Sequence, residues 1–373
     1  MLFAMDAVRA LAEDIGSRPP CSEAETRAAS WCAGRLGELG YTVDIEHFSA
    51  RRDSHNWFAA YFSLSCAGAL LIVPVPFLAA LLGAAALVLY ARDVEGRPII
   101  RPRGGVSGNV VARPLGSSEP RALVVAHLDS GKSSLVAHPK VAGAGRGFTI
   151  ALNAALVAVP FVASVAWIAE VDRELPDGLW IPSVALTAYL LVMIGIELHA
   201  ATRMPVVAGA NDNASGVDVL MRVAKLRPDD VWFVVTGSSE SGMVGIQAFL
   251  HAHDSDVGDA PFINIDTVGS GHLIVAEEEG VLWPRDAYGP LVAAAEAAGA
   301  EAVSWHHRPT DATALLARRF RAVSLLRTDD RGVLPHSHRP SDVITNVDEE
   351  ALEQTAAVVS TMLAGIRRME PVG

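Results

Sequence analysis

Apolar and polar positions along this chain follow two regimes. In the first, short apolar runs alternate with helical periodicity. Residues 4–15 and 24–39 repeat apolar positions at helical spacing, and YTVDIEHF (41–48) reads as a strand. VSGNVVARP (106–114) and RALVVAHLD (121–129) read as the next strands, the second apolar enough to be covered on both faces. Further on, a helix at 215–226 precedes the strand VWFVVTG, and a helix at 242–253 precedes PFINIDTVG. Helices near 288–299 and 311–319, the strand RAVSLLR and a closing helix at 347–368 continue the alternation. Strands alternating with helices predict an α/β fold, a mainly parallel sheet flanked by helices.

The second regime is continuous apolarity. Residues 54–91 contain no Asp, Glu, Lys or Arg. As helix they would extend roughly 57 Å, about two crossings of a ~30 Å hydrocarbon layer, with Pro74 and Pro76 where a hairpin would turn. Residues 147–169 and 178–196 are each long enough for one crossing, joined by the polar link EVDRELPDG. Trp57, Trp167 and Trp180 fall near the expected helix ends, where aromatic anchors sit at the membrane interface. The pattern predicts two inserted transmembrane helical hairpins. Buried core helices of a large soluble domain are the competing reading, and the first block could instead form a re-entrant or interfacial hairpin, because its halves are short.

The chain therefore divides into an N-terminal part of a catalytic domain (1–53), a first hairpin (54–91), a second catalytic segment (92–146), a second hairpin (147–200) and a third catalytic segment (201–373). Two hairpins return the chain to the side it left. Arg51, Arg52, Arg92, Arg97, Arg101 and Arg103 flank the first hairpin, and Lys140, Arg146 and Arg203 flank the second. The link on the opposite side carries Asp172, Arg173, Glu174 and Asp177. By the positive-inside rule the protein is expected to be integral to a membrane, the plasma membrane in a bacterium, with its catalytic domain in the cytoplasm.

Composition sharpens this. Of 373 residues, 51% are hydrophobic and 19% charged, and the apolar excess is concentrated in the blocks just described. A net charge of −12 argues against nucleic acid as a partner. Cys21, Cys32 and Cys66 have no metal spacing and give no disulfide framework, which fits a reducing compartment. The first sixteen residues show no basic n-region followed by a cleavable apolar core, so no signal peptide is expected.

Candidate chemistry lies in five polar positions: His127 in AHLDS, Asp212 in GANDNASG, Glu240 in GSSESGMVG, Asp266 in NIDTVG and His338 in HSHRPSD. His127, Glu240 and Asp266 fall just beyond the C-terminal ends of expected strands, the edge where open α/β sheets place ligands. Two imidazoles and three carboxylates could hold two divalent cations with one carboxylate bridging. That donor set suits zinc, with cobalt and manganese as alternatives. Two such cations polarise a carbonyl and yield hydroxide near neutral pH. His336 rivals His338 as the last ligand.

At these motifs the chain resembles the M28 family of di-zinc aminopeptidases and carboxypeptidases, which includes the glutaminyl cyclases. The resemblance runs from residue 6 to about 368 outside the apolar blocks, opening on GSRPPCSEAETRAASWCAGRLGELGYTV. It implies that His127, Asp212 and Asp266 bind one zinc and that Asp212, Glu240 and His338 bind the other. It also implies that Asp129 orients an imidazole. The spacing from His338 to Asp342 is similar to the family's H-T-P-x-D element, and TDATALLARRFRAVSLL looks like its segment beside the substrate pocket.

Two features depart from the family. Ser239 stands where the family has a glutamate, the general base; a serine hydroxyl cannot serve as a base near neutral pH. Glu277, Glu278 and Glu279 are candidate stand-ins, although a run of three glutamates reads as a solvated turn. The second departure is that both hairpins are inserted within the catalytic segments, which would hold the pocket close to lipid. The expected activity is a membrane-integral, zinc-dependent hydrolysis of peptide or amide bonds, aminopeptidase-like, on a hydrophobic or membrane-proximal substrate. The alternatives are acyl transfer or cyclisation, where activation of water is unwanted, and a metal-binding homologue without catalysis.

Overall fold

The computed structural model describes residues 5–100, 103–117, 119–138, 141, 144–171 and 178–366, with the side chains of 145 and 146 excepted. Of the charged flanks, Arg101, Lys140 and the link residues Asp172, Arg173, Glu174 and Asp177 lie outside the described residues, as do the last two residues of the expected closing helix.

The chain begins with α1 (Asp6–Arg9), which runs on as a wider helical stretch, Ala10–Ile15, and with α2 (Glu23–Glu38). Ser22 starts α2 by accepting the amide of Glu25 at 3.1 Å, which satisfies one of the donors left open at a helix start. Strand β1 (Thr42–Ala50) then leads into the first apolar block, which folds as α3 (His55–Leu71) and α4 (Pro76–Val94). Pro76 takes the first helical position of α4, where its missing N–H costs nothing. Strands β2 (Gly105–Arg113) and β3 (Ala122–His127) precede the second block, α5 (Gly145–Val171) and α6 (Trp180–Arg203). Next come α7 (Ser215–Lys225), β4 (Val231–Thr236), α8 (Val244–Val257), β5 (Phe262–Ile265), β6 (His272–Glu279) and β7 (Arg285–Asp286). The rest is α9 (Gly289–Ala297), β8 (Glu301–Trp305), α10 (Asp311–Leu316), β9 (Ala322–Thr328) and α11 (Glu349–Ile366).

Among the described residues, nine strands form one sheet in the order β1-β2-β4-β3-β5-β9-β6-β7, with β8 also on β6. The expected parallel character resides in its centre, where β4, β3, β5 and β9 run parallel. The margins are antiparallel, β1 to β2 to β4 on one side and β9 to β6 to β7 on the other. Alternate residues of each central strand feed two cores. Val124 and Ala126 of β3 face α1, α2, α7, α9 and α11, whereas Leu123 and Val125 face α8 and α10. The run HLIVAEEE is a strand, not the solvated turn expected from its charge: β6 pairs with β9 on one side and β8 on the other, and its last residue, Glu279, is buried.

The four helices of the two apolar blocks make a third cluster of their own, with α3 packed on α4 and α6 and α4 on α5. Their close approach depends on small residues, as in membrane helix packing. A Cβ on Gly83 of α4 would lie 2.9 Å from Pro160 N and from a methyl of Val159 on α5. Among the described residues, α4, the segment Gly147–Val171 and α6 are long and apolar enough to cross a membrane. Helix α3 has 17 residues, about 26 Å of helix, just under the full hydrocarbon thickness. Their outer faces are apolar: Phe161, Ile168, Trp180, Val184 and Val192 are all exposed. Trp57 does not point outward in the same way, since the guanidinium of Arg51 stacks over its ring at 5.9 Å.

Candidate metal centre

The C-terminal ends of the central parallel strands carry the site. His127 is the last residue of β3, Asp266 follows β5 directly, and Glu240 lies four residues past the end of β4. Asp212 is held in the loop entering α7, and His338 comes from the loop after β9. Three of the loop residues, Ser238, Thr267 and His338, have left-handed backbone at φ 52°, 54° and 54°. Non-glycine residues adopt that conformation only when their surroundings impose it, a pattern concentrated at functional sites.

These turns bring all five sequence-predicted ligands together. His127, Asp212 and Asp266 form one trio, and Asp212, Glu240 and His338 form a second, with the ligand atoms of each within 4.8 Å of one another. His127 Nε2 lies 3.4 Å from Asp212 Oδ1 and 3.9 Å from Asp266 Oδ1. His338 Nε2 lies 3.4 Å from Glu240 Oε2 and 3.7 Å from Asp212 Oδ2. Asp212 is common to both trios and offers one oxygen to each. The rival His336 turns away, its ring bonding Ser341 Oγ at 3.0 Å. Gly131 faces the cluster with backbone alone: a Cβ there would stand 2.5 Å from the His338 ring and 2.7 Å from Glu240 Oε2.

The surroundings orient these groups. The Nδ1 of His127 meets the backbone oxygen of Asp129 at 3.1 Å and its carboxylate at 3.4 Å, leaving Nε2 toward Asp212. The same carboxylate accepts the amides of Ser239 (3.0 Å) and Glu240 (2.9 Å), so Asp129 fixes both an imidazole and the Glu240 loop. His338 Nδ1 is turned to the backbone oxygen of Lys132 at 2.7 Å. Asp342 receives the amides of Asn211 (2.6 Å) and Asp212 (3.3 Å) and holds the shared carboxylate's loop.

The donor set and its charge fit cations. The buried Oδ1 of Asp212 accepts no hydrogen bond among the described residues, an uncompensated acceptor that a cation would satisfy. Burial opposes the charge of Asp212, but Arg308 and the two imidazoles hold its carboxyl well below the usual range. Burial would lower the pKa of His127, yet the carboxylates of Asp129, Asp212 and Asp266 around its ring raise it well above its ordinary value. Burial raises Glu240.

Arg308 was not foreseen. Its Nη1 donates to Asp212 Oδ2 at 2.9 Å and to Ser337 Oγ at 3.1 Å, and its Nη2 donates to Asp266 Oδ1 at 3.3 Å. The only hint in the sequence is its place two residues before Thr310, beside a segment read as flanking the pocket.

Asp311 was also missed as a partner for Ser239. The Ser239 hydroxyl donates to Asp311 Oδ1 at 2.7 Å, and Thr236 Oγ1 donates to Asp311 Oδ2 at 2.6 Å. Burial pushes the Asp311 carboxyl above its ordinary value. None of the three glutamates proposed as stand-ins lines the pocket around Ser239. Glu279 accepts the hydroxyls of Thr310, Thr313 and Ser324 and so supports the start of α10 from behind, while Glu277 and Glu278 sit toward the surface with Ser304 and His306.

Comparison with known proteins agrees with this geometry. Residues 196–363, which contain four of the five ligands, match the family model described as Peptidase family M28. No curated protein sequence matches the chain. Among solved structures, the chain is similar to a zinc aminopeptidase from Bacillus subtilis (14% identity, 96% of this chain and 93% of that one, TM-score 0.54). It is also similar to the glutaminyl cyclase of Tannerella forsythia (16%, 99% and 100%, 0.55) and to a Zn-dependent exopeptidase from Parabacteroides distasonis (14%, 97% and 98%, 0.53). At these identities the likeness establishes the fold, and it extends over nearly the whole chain. The match to peptidase family M28 thus covers residues 196–363, and the fold that the chain shares with zinc aminopeptidases and glutaminyl cyclases extends beyond it to nearly the whole chain.

Proposed function

We propose that the protein is a membrane-integral, metal-dependent hydrolase of peptide or amide bonds, aminopeptidase-like, working on a hydrophobic or membrane-proximal substrate with its catalytic domain in the cytoplasm. The observation that carries this is the pair of ligand trios, one buried and one half-buried, sharing Asp212 at the strand ends. His127, Asp212 and Asp266 would hold one zinc, and Asp212, Glu240 and His338 the other. Zinc there supplies Lewis acidity for a carbonyl and acidifies water.

The chain's own groups set the rest. Asp129 orients His127 and clamps the Glu240 loop. The Ser239 hydroxyl donates its hydrogen bond to Asp311, which leaves the lone pairs of its oxygen to accept one from the pocket. A proton arriving at Ser239 Oγ can pass on to Asp311 Oδ1, and this two-atom relay takes the place of a carboxylate at position 239. An indirect relay is slower than a direct base, whose contribution is typically about 10²–10⁴-fold.

A second reading follows from the same serine. Acyl transfer or cyclisation, as in the glutaminyl cyclases that share the fold, has no use for activated water. Ser239→Glu separates the two readings. Under the hydrolase reading, Asp311→Asn cuts amide hydrolysis by about tenfold or more, and Ser239→Glu restores it in that background. If the native protein with two zinc ions leaves short aminoacyl amides intact while Ser239→Glu cleaves them, the native chemistry is transfer or cyclisation. Failure to bind zinc would exclude both.

A further inference from the structure

The pocket over the metal centre does not end there. It is lined by Ser239, Glu240, Asp266 and His338, and it shares His55, Phe58, Arg308, Pro309 and His338 with a second, larger cavity of about 390 Å³. That second cavity lies between the catalytic domain and all four hairpin helices. Its walls change character with depth. On α3 it is lined by His55, Phe58 and Phe62, spaced so that they stack on one helix face. On α6 it is lined by Glu197 and, one turn deeper, Met193. His55 Nδ1 and Glu197 Oε2 meet at 2.7 Å and mark its polar rim. Tyr90 of α4 and Leu152 of α5 close the deeper part. Phe62 stands seven residues beyond His55, about 10 Å along the helix, so the cavity reaches into the apolar portion of the bundle.

We infer that this cavity is the binding site for a single hydrocarbon chain of the substrate, which is an amphipathic amide whose carbonyl reaches the metal centre while its tail lies among α3, α4, α5 and α6. The inference rests on the amide-hydrolase reading above and names its substrate class. Three observations favour a hydrocarbon chain over a peptide side chain. The volume has room for roughly a dozen atom-sized groups, if each occupies about the 30 Å³ of a water molecule, more than any one amino-acid side chain needs. The deep wall of Phe62, Tyr90, Leu152 and Met193 is aromatic and aliphatic, while His55, Arg308 and His338 stand at the end shared with the metal pocket and Glu197 is paired with His55. Three of the four helices that contribute to its lining are long and apolar enough to cross a bilayer, so a lipid-like molecule has an apolar route to the cavity from the membrane.

The test uses the full-length protein in lipid nanodiscs, zinc-loaded, with a series of straight-chain alkyl hydroxamates as probes, corrected for partition into empty nanodiscs. Affinity should rise about three- to fourfold per methylene and level off near ten to twelve carbons. Leu152→Trp and Met193→Trp, which fill the deep wall, should end that rise several carbons earlier and leave acetohydroxamate binding unchanged. Val165→Trp, on the outer face of α5, should behave as native. A flat series, or a rise that the two filling variants leave untouched, overturns the inference. A dansylated undecanoic acid, titrated into the metal-free protein, supplies a readout that needs no metal: native should bind it at least tenfold more tightly than either filling variant. If acetohydroxamate binds and short amides are cleaved but tails gain nothing, the hydrolase reading survives and the chain site does not. If acetohydroxamate fails to bind while the dansyl probe distinguishes the variants, the reverse holds.

Discussion

At the scale of single residues, the clustering of the five candidate ligands was legible, whereas the cation that competes for their carboxylates was not. Five polar residues at strand ends could be read in order because chain direction fixes which sheet edge they occupy. Nothing in the sequence says that the guanidinium of Arg308 folds back onto the same carboxylate oxygens that cations would use. Binding zinc therefore requires displacing a charge-assisted pair, each such hydrogen bond contributing about 1.5–3 kcal/mol. Arg308→Met should tighten zinc binding by about 10- to 100-fold, measured by chelator competition, while lowering the melting temperature of the metal-free protein. Weaker zinc binding would mean that Arg308 supports the loaded centre.

The same residues set a pH dependence. Burial, with Asp129 adding to it, pushes Glu25 from its ordinary 4.5 to about 7; burial, with Asp212 adding, pushes Asp342 from 3.8 to about 7. Between these limits the native metal-free protein holds protons that the unfolded chain has released. Its stability should fall as pH rises from about 4 to 7, at up to ~1.4 kcal/mol per pH unit for each group. The raised His127 acts in the same direction, since its stabilisation is present in acid and lost as pH climbs through its native pKa. Zinc needs its own ligands, His127 among them, deprotonated and gains affinity with pH. Thermal melts with and without zinc should diverge from pH 5 to pH 8. Curves that stay parallel would contradict the assignment.

At the scale of elements, helices and central strands were readable from periodicity, whereas β6 was hidden. Three consecutive glutamates at the end of HLIVAEEE resemble a solvated turn until one sees that Glu279 points inward to three hydroxyls from distant elements. Distant partners also fasten the first hairpin to the ligand loop. Arg51, at the end of the β1 segment, forms a buried two-pronged pair with Asp93 of α4 at 2.6 and 2.5 Å, and its Nε donates to Ser241 O beside Glu240. Tyr61 of α3 donates to the same Asp93 at 2.8 Å, and Ser54 Oγ to Glu240 O at 3.2 Å. Removing one partner leaves a buried charge unpaired, at a cost of about 3–5 kcal/mol. Asp93→Ala should therefore destabilise the protein by that order in thermal or denaturant unfolding and weaken zinc binding, although Asp93 touches no ligand side chain. Loss of stability with unchanged zinc affinity would show that the hairpin root and the ligand loop are independent.

At the scale of the whole molecule, the structure bears on whether the ligand-bearing segments share one side, while the charge asymmetry alone bears on which side that is. Both helices of each block return to the catalytic domain. The first is tied there by Arg51 and Asp93, and the second by Lys132, which bonds Asp53 and donates to Ala201 O of α6 at 2.6 Å. The number of full crossings then ceases to matter for sidedness. If the 17-residue α3 and its partner only dip into the bilayer, the catalytic segments still emerge on one face. Arg51 is 3% exposed and committed to Asp93, so it adds little to the positive charge flanking the apolar blocks; Arg52, Arg92, Arg97, Arg103 and Arg203 carry it. The expected result is a single accessible side for the whole catalytic domain. Leu115 is 81% exposed in the turn after β2, far in sequence from either block. With Cys21→Ser as background, a Leu115→Cys protein in right-side-out bacterial vesicles should resist a membrane-impermeant maleimide and react fully in inverted ones. Cys32 and Cys66 are buried and should stay silent in both. Labelling in right-side-out vesicles would place the metal centre outside the cell, and zinc, pH and substrate would then be those of the exterior.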